Sequence, residues 1–167
     1  MVPRTRRDPK SQRILVVTVF VGIVAAVLGA SFMFMTQATN RENYVRTIQN
    51  VSDEARVLTQ TYEDSIAKWQ NSQTSKEQIL QITDNHLENL NRLLTKLKSL
   101  EPPEKFRAAH ELSILSLDHE LQSDQHMRNY IETGKEEERE MSATLLQKAF
   151  DYEAKAFEEF SRASKST

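Results

Sequence analysis

One continuous apolar segment lies near the N-terminus of the chain, and shorter apolar stripes at helical spacing follow it. Residues 14–35 carry no charged side chain. As a helix, a segment of this length would rise about 33 Å, which matches a hydrocarbon core of about 30 Å. The apolar run continues past Gly29-Ala30, and position 31 holds Ser rather than a Cys that could be lipidated. This pattern predicts an uncleaved transmembrane signal anchor.

The residues before the apolar segment indicate its orientation. Residues 1–13 contain five Lys or Arg against one Asp. By the positive-inside rule, such a segment stays in the cytoplasm. We therefore expect a single-pass protein of the cell membrane, with a basic cytoplasmic N-terminus at 1–13 and an extracytoplasmic domain at 38–165.

Small residues recur at every fourth position of the predicted membrane helix, at Gly22, Ala26 and Ala30. Such a ridge lets two membrane helices approach closely, so it would permit a homodimer through this segment. Small residues are also common in monomeric membrane helices, and the sequence leaves both alternatives open.

Beyond residue 38 the apolar positions follow helical spacing in four segments. The predicted helices span about 40–70, 75–101, 103–133 and 135–164, each with an apolar stripe that must be buried against a neighbour. The breaks between them are short, which forces neighbouring helices to run antiparallel. The sequence therefore predicts an all-α protein, with an N-terminal transmembrane helix followed by an antiparallel up-down-up-down four-helix bundle.

Three features mark the ends of these helices. Thr74-Ser75-Lys76-Glu77 fits a capping box at the start of the second helix. Pro102-Pro103 ends that helix, and Pro103 suits the first position of the third. Gly134 is well placed to close the third helix in a left-handed conformation.

Composition excludes several classes of function. The chain has no Cys, so disulfides, thiolate metal sites and cysteine nucleophiles are excluded. Subtracting the +4 of residues 1–13 from the net charge of −2 leaves −6, which argues against nucleic acid as a partner. No catalytic motif is present and no cofactor is expected, so we do not expect an enzyme.

The histidines are the first candidates for chemistry. His86 falls in an apolar column of the second helix and should be partly buried, and His119 lies at a similar height on the third. The two imidazoles could bind a divalent metal or act as a proton-sensing pair. Only Asp118 and Glu120 are expected as carboxylates beside them, so histidines at the margin of the bundle are the alternative.

The end of the bundle far from the membrane offers a candidate interaction surface. Glu136, Glu137 and Glu138 could dock a basic partner, although carboxylates in a first helical turn also complement the helix dipole. Trp69 near the same end could anchor a partner. It also continues the apolar stripe of the first helix, which favours a place in the core.

One resemblance rests on the junction Leu100-Glu101-Pro102-Pro103-Glu104, on Phe106 and His110, and on the closing segment 130–134. Over residues 75–165 the chain resembles a loose group of uncharacterised prokaryotic surface proteins, membrane-anchored or lipoprotein, with two helical hairpins meeting at a proline turn. Lipidated members carry Cys where Ser31 stands. The bundle is also similar in shape to the ligand-binding ectodomains of bacterial chemoreceptors.

The resemblance implies no known activity, so the functional expectation comes from the architecture. We expect a protein-interaction or scaffold module at the cell surface, with a protein or a cell-envelope component as its partner. The alternative is a small-ligand or metal-binding sensor that uses the His86/His119 level of the bundle.

Overall fold

A computed structural model describes residues 39–165, with side chains from residue 42 onward, and this part of the chain is helical throughout apart from short turns. The helices are α1 (Thr39–Gln70), α2 (Lys76–Lys98), α3 (Arg107–Thr133) and α4 (Glu136–Lys165). A 3-10 turn, Glu104–Phe106, leads into α3. The prediction of an all-α bundle of four helices beyond residue 38 is confirmed.

The predicted membrane anchor at 14–35, with Gly22, Ala26 and Ala30, lies outside the described residues. None of the helices within 39–165 combines the length and the hydropathy that a membrane span requires.

The start of α2 shows a capping box one residue later than the sequence predicts. The hydroxyl of Ser75 accepts a hydrogen bond from the Gln78 N–H at 3.2 Å, and Gln78 Oε1 accepts one from the Ser75 N–H at 3.1 Å. The predicted pair, Thr74 and Glu77, has the same spacing. Both pairs fit the motif, so the sequence did not distinguish them.

The ends of α2 and α3 follow the predicted punctuation with one difference. α2 ends at Lys98, before the two prolines, and Pro103 caps the 3-10 turn instead of opening α3. Gly134 closes α3 with φ of +72°, and its N–H donates to the Tyr130 carbonyl at 2.8 Å. The left-handed glycine is therefore confirmed.

Side-chain contacts show that successive helices run antiparallel. Glu54 on α1 pairs with Arg92 on α2, and Tyr62 stacks on His86 further along both helices. His86 in turn bonds Asp124 on α3. Lys98 on α2 likewise pairs with Asp118 on α3, and α3 meets α4 at Ser116 with Ala149 and at Ser123 with Ser142, so residue numbers rise on one helix as they fall on the next.

The backbones of α3 and α4 approach more closely than those of any other pair of helices within 39–165. Small residues repeat every seven positions on both facing surfaces, so little side-chain volume separates the helices. Ser123 Oγ donates to the Ser142 carbonyl at 2.8 Å, and Ser116 Oγ donates to the Ala149 carbonyl at 2.9 Å. We call this contact the small-residue interface, and its members are Ala109, Ser116, Ser123, Ser142, Ala149 and Ala156.

Two apolar clusters lie along the bundle within the part of the chain that the structure describes. The cluster nearer the proline turn joins α1, α2 and α3 and contains Val51, Leu90, Leu93, Leu94, Leu97 and Leu117. The cluster nearer the α1–α2 turn contains Tyr62, Ile66, Ile79 and Ile131. Burying these side chains provides the main driving force for packing the helices.

Aromatic side chains close the end of the bundle at the proline turn. Phe106 is fully buried, and its ring lies 4.9 Å from that of Phe160 and 5.8 Å from that of Tyr44, centroid to centroid. The Tyr44 hydroxyl is 3.1 Å from Nδ1 of His110, which links α1 to α3. These contacts tie the start of α1 to the end of α4 through the 3-10 turn.

Candidate functional site

A layer of polar side chains lies between the two apolar clusters, and all four helices contribute to it. On α2 and α3 its residues fall between those of the two clusters in sequence, and on α1 they overlap the cluster nearer the α1–α2 turn, to which Tyr62 also belongs. We call it the polar layer, and its members are Thr59, Tyr62, Glu63, Thr83, His86, Glu120, Asp124 and Glu153. Such groups are costly to bury unless they are paired, so their presence in the core marks a candidate functional site.

His86 is the best-defined member of the polar layer. Its side chain is buried, and Nε2 lies 3.0 Å from Oδ2 of Asp124, which is also buried. The Tyr62 ring stacks on the imidazole with a centroid distance of 4.1 Å and an interplanar angle of 12°. The Thr83 hydroxyl lies 3.5 Å from the Tyr62 hydroxyl. One histidine is thus held by residues from α1 and α3.

Burial favours the neutral forms of both members of this pair. Loss of solvent lowers the pKa of His86 to about 4. Loss of solvent also raises the pKa of Asp124 well above its usual value, and the charge of Glu63 adds to that effect. Both shifts act in the same direction, toward a pair of uncharged side chains joined by one hydrogen bond.

Glu120 and Glu153 extend the polar layer toward α4. The Thr59 hydroxyl on α1 donates to Oε1 of Glu120. Burial, followed by the charge of Asp124, raises the pKa of Glu120 to about 7, and the Thr59 hydrogen bond opposes part of this rise. Burial and the neighbouring Glu120 raise the pKa of Glu153 to about 8. Two carboxyl groups in the half-buried layer thus exchange protons close to neutral pH.

The chemistry that this arrangement supports is proton uptake and release. Carboxyl groups are effective proton donors and acceptors at neutral pH when burial brings their pKa values there. Among the residues that the structure describes, no group of three or more His, Asp or Glu side chains is arranged to hold a metal ion.

The structure places the two predicted histidine ligands in different surroundings. His86 is buried, as its apolar column predicts, and its partner is Asp124. His119 Nδ1 lies 2.8 Å from the carbonyl of Leu115 in its own helix, and its ring packs 5.1 Å from that of Tyr152 on α4. The described contacts of the two histidines do not include each other. Metal binding by this pair stays a prediction.

The predicted interaction residues have partners within the bundle. Trp69 is half-buried against the cluster of Tyr62, Ile66, Ile79 and Ile131, with its ring edge-on to Tyr130 at 6.2 Å, which agrees with a place in the core. Two residues of the acidic run at the start of α4 form ion pairs or hydrogen bonds with other residues of the bundle. Its members that pair there are Glu136, with Arg139, and Glu138, with His126 and Asn129.

The remaining member of that run, Glu137, is exposed. Hydrogen bonds from His126 and Asn129 lower the pKa of Glu138. A role for Trp69, Glu136, Glu137 and Glu138 in partner binding stays a prediction.

Three carboxylates of the polar layer were missed as site residues, namely Glu63, Asp124 and Glu153. A signal for two of them is present in the sequence. Asp124 lies seven residues after Leu117 and seven before Ile131, both buried. Glu153 occupies the same kind of position between Leu146 and Phe160. An acidic residue within an apolar column of heptad spacing was the available indication.

Comparison of the chain with known proteins finds no match among protein-family models, among curated proteins or among solved structures.

Proposed function

We propose that the chain is a single-pass membrane protein whose helices form an up-down-up-down bundle outside the cytoplasm and serve as a protein-interaction or scaffold module. The uncharged segment 14–35 would be the anchor, with the basic residues 1–13 on the cytoplasmic side. The observation that carries the proposal is that this segment directly precedes, in sequence, the helical bundle whose described residues begin at Thr39.

Charged residues on the exposed surface of the bundle support the proposal that the partner is recognised by charge. Ion pairs connect neighbouring helices near the α1–α2 turn, where Arg128 on α3 pairs with Asp84 on α2 and with Glu132. Lys76 Nζ donates to the Glu132 carbonyl in the same region. The exposed Glu137 lies in the first turn of α4, next to this charged end, and would face an incoming partner.

Two experiments test this proposal. Carbonate extraction should leave the protein in the membrane, and protease added to intact cells should cut at the exposed turn 71–73. A photo-crosslinking residue at Glu137 should capture one partner of defined mass, whereas the same residue at the exposed Gln125 in the middle of α3 should not. Release by carbonate, protection of the turn, or equal products from both positions would contradict the proposal.

A second function is favoured by one specific observation, the polar layer in the core. We propose as the alternative a small-ligand or metal-binding sensor at the level of His86. A ligand that binds only the folded state increases the free energy of unfolding by RT ln(1 + [L]/Kd) and thereby raises the melting temperature. Zinc, nickel, copper and small amines should each be tested against wild type and His86→Asn. A melting temperature unchanged by all of them would exclude this function.

A further inference from the structure

We propose that deprotonation of the polar layer loosens the middle of α1 from α3, so that pH sets how firmly α1 is docked. The inference goes beyond both functions above, because it requires neither the membrane segment nor a ligand. It rests on which charged groups the four helices bring together, and on which of the helices is held least tightly.

Titratable groups face the centre of the layer from every helix. α1 contributes Tyr62 and Glu63, α2 contributes His86, α3 contributes Glu120 and Asp124, and α4 contributes Glu153. The carboxyl groups lie close enough to perturb one another, since Asp124 and Glu63 both raise the pKa of Glu120, and Glu120 raises that of Glu153. Among the groups that shift the pKa values of Glu120 and Glu153, His86 is the one that can become a cation.

The layer is compatible with close packing only when Glu120 and Glu153 are protonated. A neutral carboxyl can donate as well as accept a hydrogen bond, and it avoids the cost of burying a charge. Ionisation of Glu120 and Glu153 would place two negative charges near each other in a half-buried space. Burial disfavours the imidazolium form of His86, so His86 does not compensate for them. Entry of water between the helices would then reduce the cost of burying these charges.

The helix that yields is α1, because the backbones of α3 and α4 lie close together and hydroxyl groups of α3 donate to backbone carbonyls of α4. Two serine hydroxyls of the small-residue interface donate to carbonyl groups of α4. The polar contacts of α1 with the other helices are made by side chains, including Tyr44 with His110 and Thr59 with Glu120. The ion pair of Glu54 with Arg92 is exposed, and such pairs contribute little.

Spin labels can measure the separation of the helices, because the chain contains no Cys and engineered pairs label cleanly. The full chain in lipid nanodiscs would carry labels at Val57 on α1, which is 55% exposed, and at the exposed Lys148 on α4. Between pH 5.5 and pH 9 we expect the mean distance to increase by about 2 Å or more and its distribution to broaden. A matched pair at Gln125 and Lys148, across α3 and α4, should not change.

Neutral isosteres provide the decisive variants. Glu120→Gln together with Glu153→Gln should keep the pH 5.5 distance at pH 9, because glutamine mimics the protonated carboxyl and can still accept the Thr59 hydrogen bond. Glu153→Gln alone, at a half-buried position, should reduce the increase in distance between pH 5.5 and pH 9. This single variant is the one to measure if circular dichroism shows that the double variant does not fold.

Two results would overturn the proposal. One is a wild-type distance between the Val57 and Lys148 labels that is the same at both pH values. The other is a change in the folded variants as large as that of wild type.

Discussion

Replacing Glu153 with Gln should stabilise the bundle by an amount that grows as pH rises from 5 to 8. Burial and Glu120 raise the pKa of Glu153 from 4.5 to about 8 in the folded protein. Below pH 4.5 the carboxyl is protonated in both states, so it adds no pH dependence. Above that value the unfolded chain releases the proton and the folded chain keeps it, so the free energy of unfolding falls until pH reaches about 8.

The magnitude follows from the two pKa values. At about 1.36 kcal/mol for each pH unit between them, the cost of Glu153 at pH 8 is at most about 5 kcal/mol. The side chain is half-buried, and solvent screening reduces that cost. We therefore expect Glu153→Gln to gain about 2 kcal/mol over wild type between pH 5 and pH 8.

Urea denaturation followed by circular dichroism measures this gain directly. The fragment 37–167, which is the compact helical unit, would be unfolded at pH 5, 6, 7 and 8. Glu158→Gln is the matched control, because Glu158 is exposed on the same helix, and its difference from wild type should not vary with pH. A constant difference between Glu153→Gln and wild type from pH 5 to pH 8 would refute the reasoning.

Three further substitutions test the fold by the same denaturation assay. Ala149→Leu should lower the free energy of unfolding by about 2–3 kcal/mol, because it overpacks the small-residue interface. Ala143→Leu, on the exposed face of the same helix, should leave the free energy of unfolding nearly unchanged. Equal losses in the two variants would contradict the interface. Gly134→Ala should cost about 1 kcal/mol because φ is +72°, and Gly134→Asn should recover much of the loss; a neutral Gly134→Ala would count against the left-handed cap. Ser75→Ala should cost about 1 kcal/mol through loss of the capping box, and an unchanged midpoint would argue against it.

The helices themselves were predictable because their ends carry local chemistry. The segment 71–75, the two prolines and Gly134 each interrupt helical spacing, and the structure has turns at all three places. Helical spacing alone does not decide which apolar residues are buried, since Val45 and Ile66 are buried whereas Leu115 and Met141 are exposed, at 39% and 47%. An apolar stripe indicates which face of a helix is buried, but the width of the buried surface depends on how the neighbouring helices pack against it.

The polar layer was predictable only in part. The heptad column of His86 correctly indicated its burial, but the sequence did not identify Asp124 as its partner. That pairing depends on the register of α2 relative to α3 along the bundle, and the short connection between the two helices does not determine this register. The proximity of Glu120 to Glu153 likewise depends on the close approach of α3 and α4, which follows from small residues distributed over two helices.

We infer that carboxyl groups of the polar layer exchange protons near neutral pH, and a residue-resolved NMR titration of the side-chain carboxyl carbons would measure this exchange. We expect midpoints of about 7 for Glu120 and about 8 for Glu153. Midpoints for both residues at the ordinary value of 4.5 would contradict it.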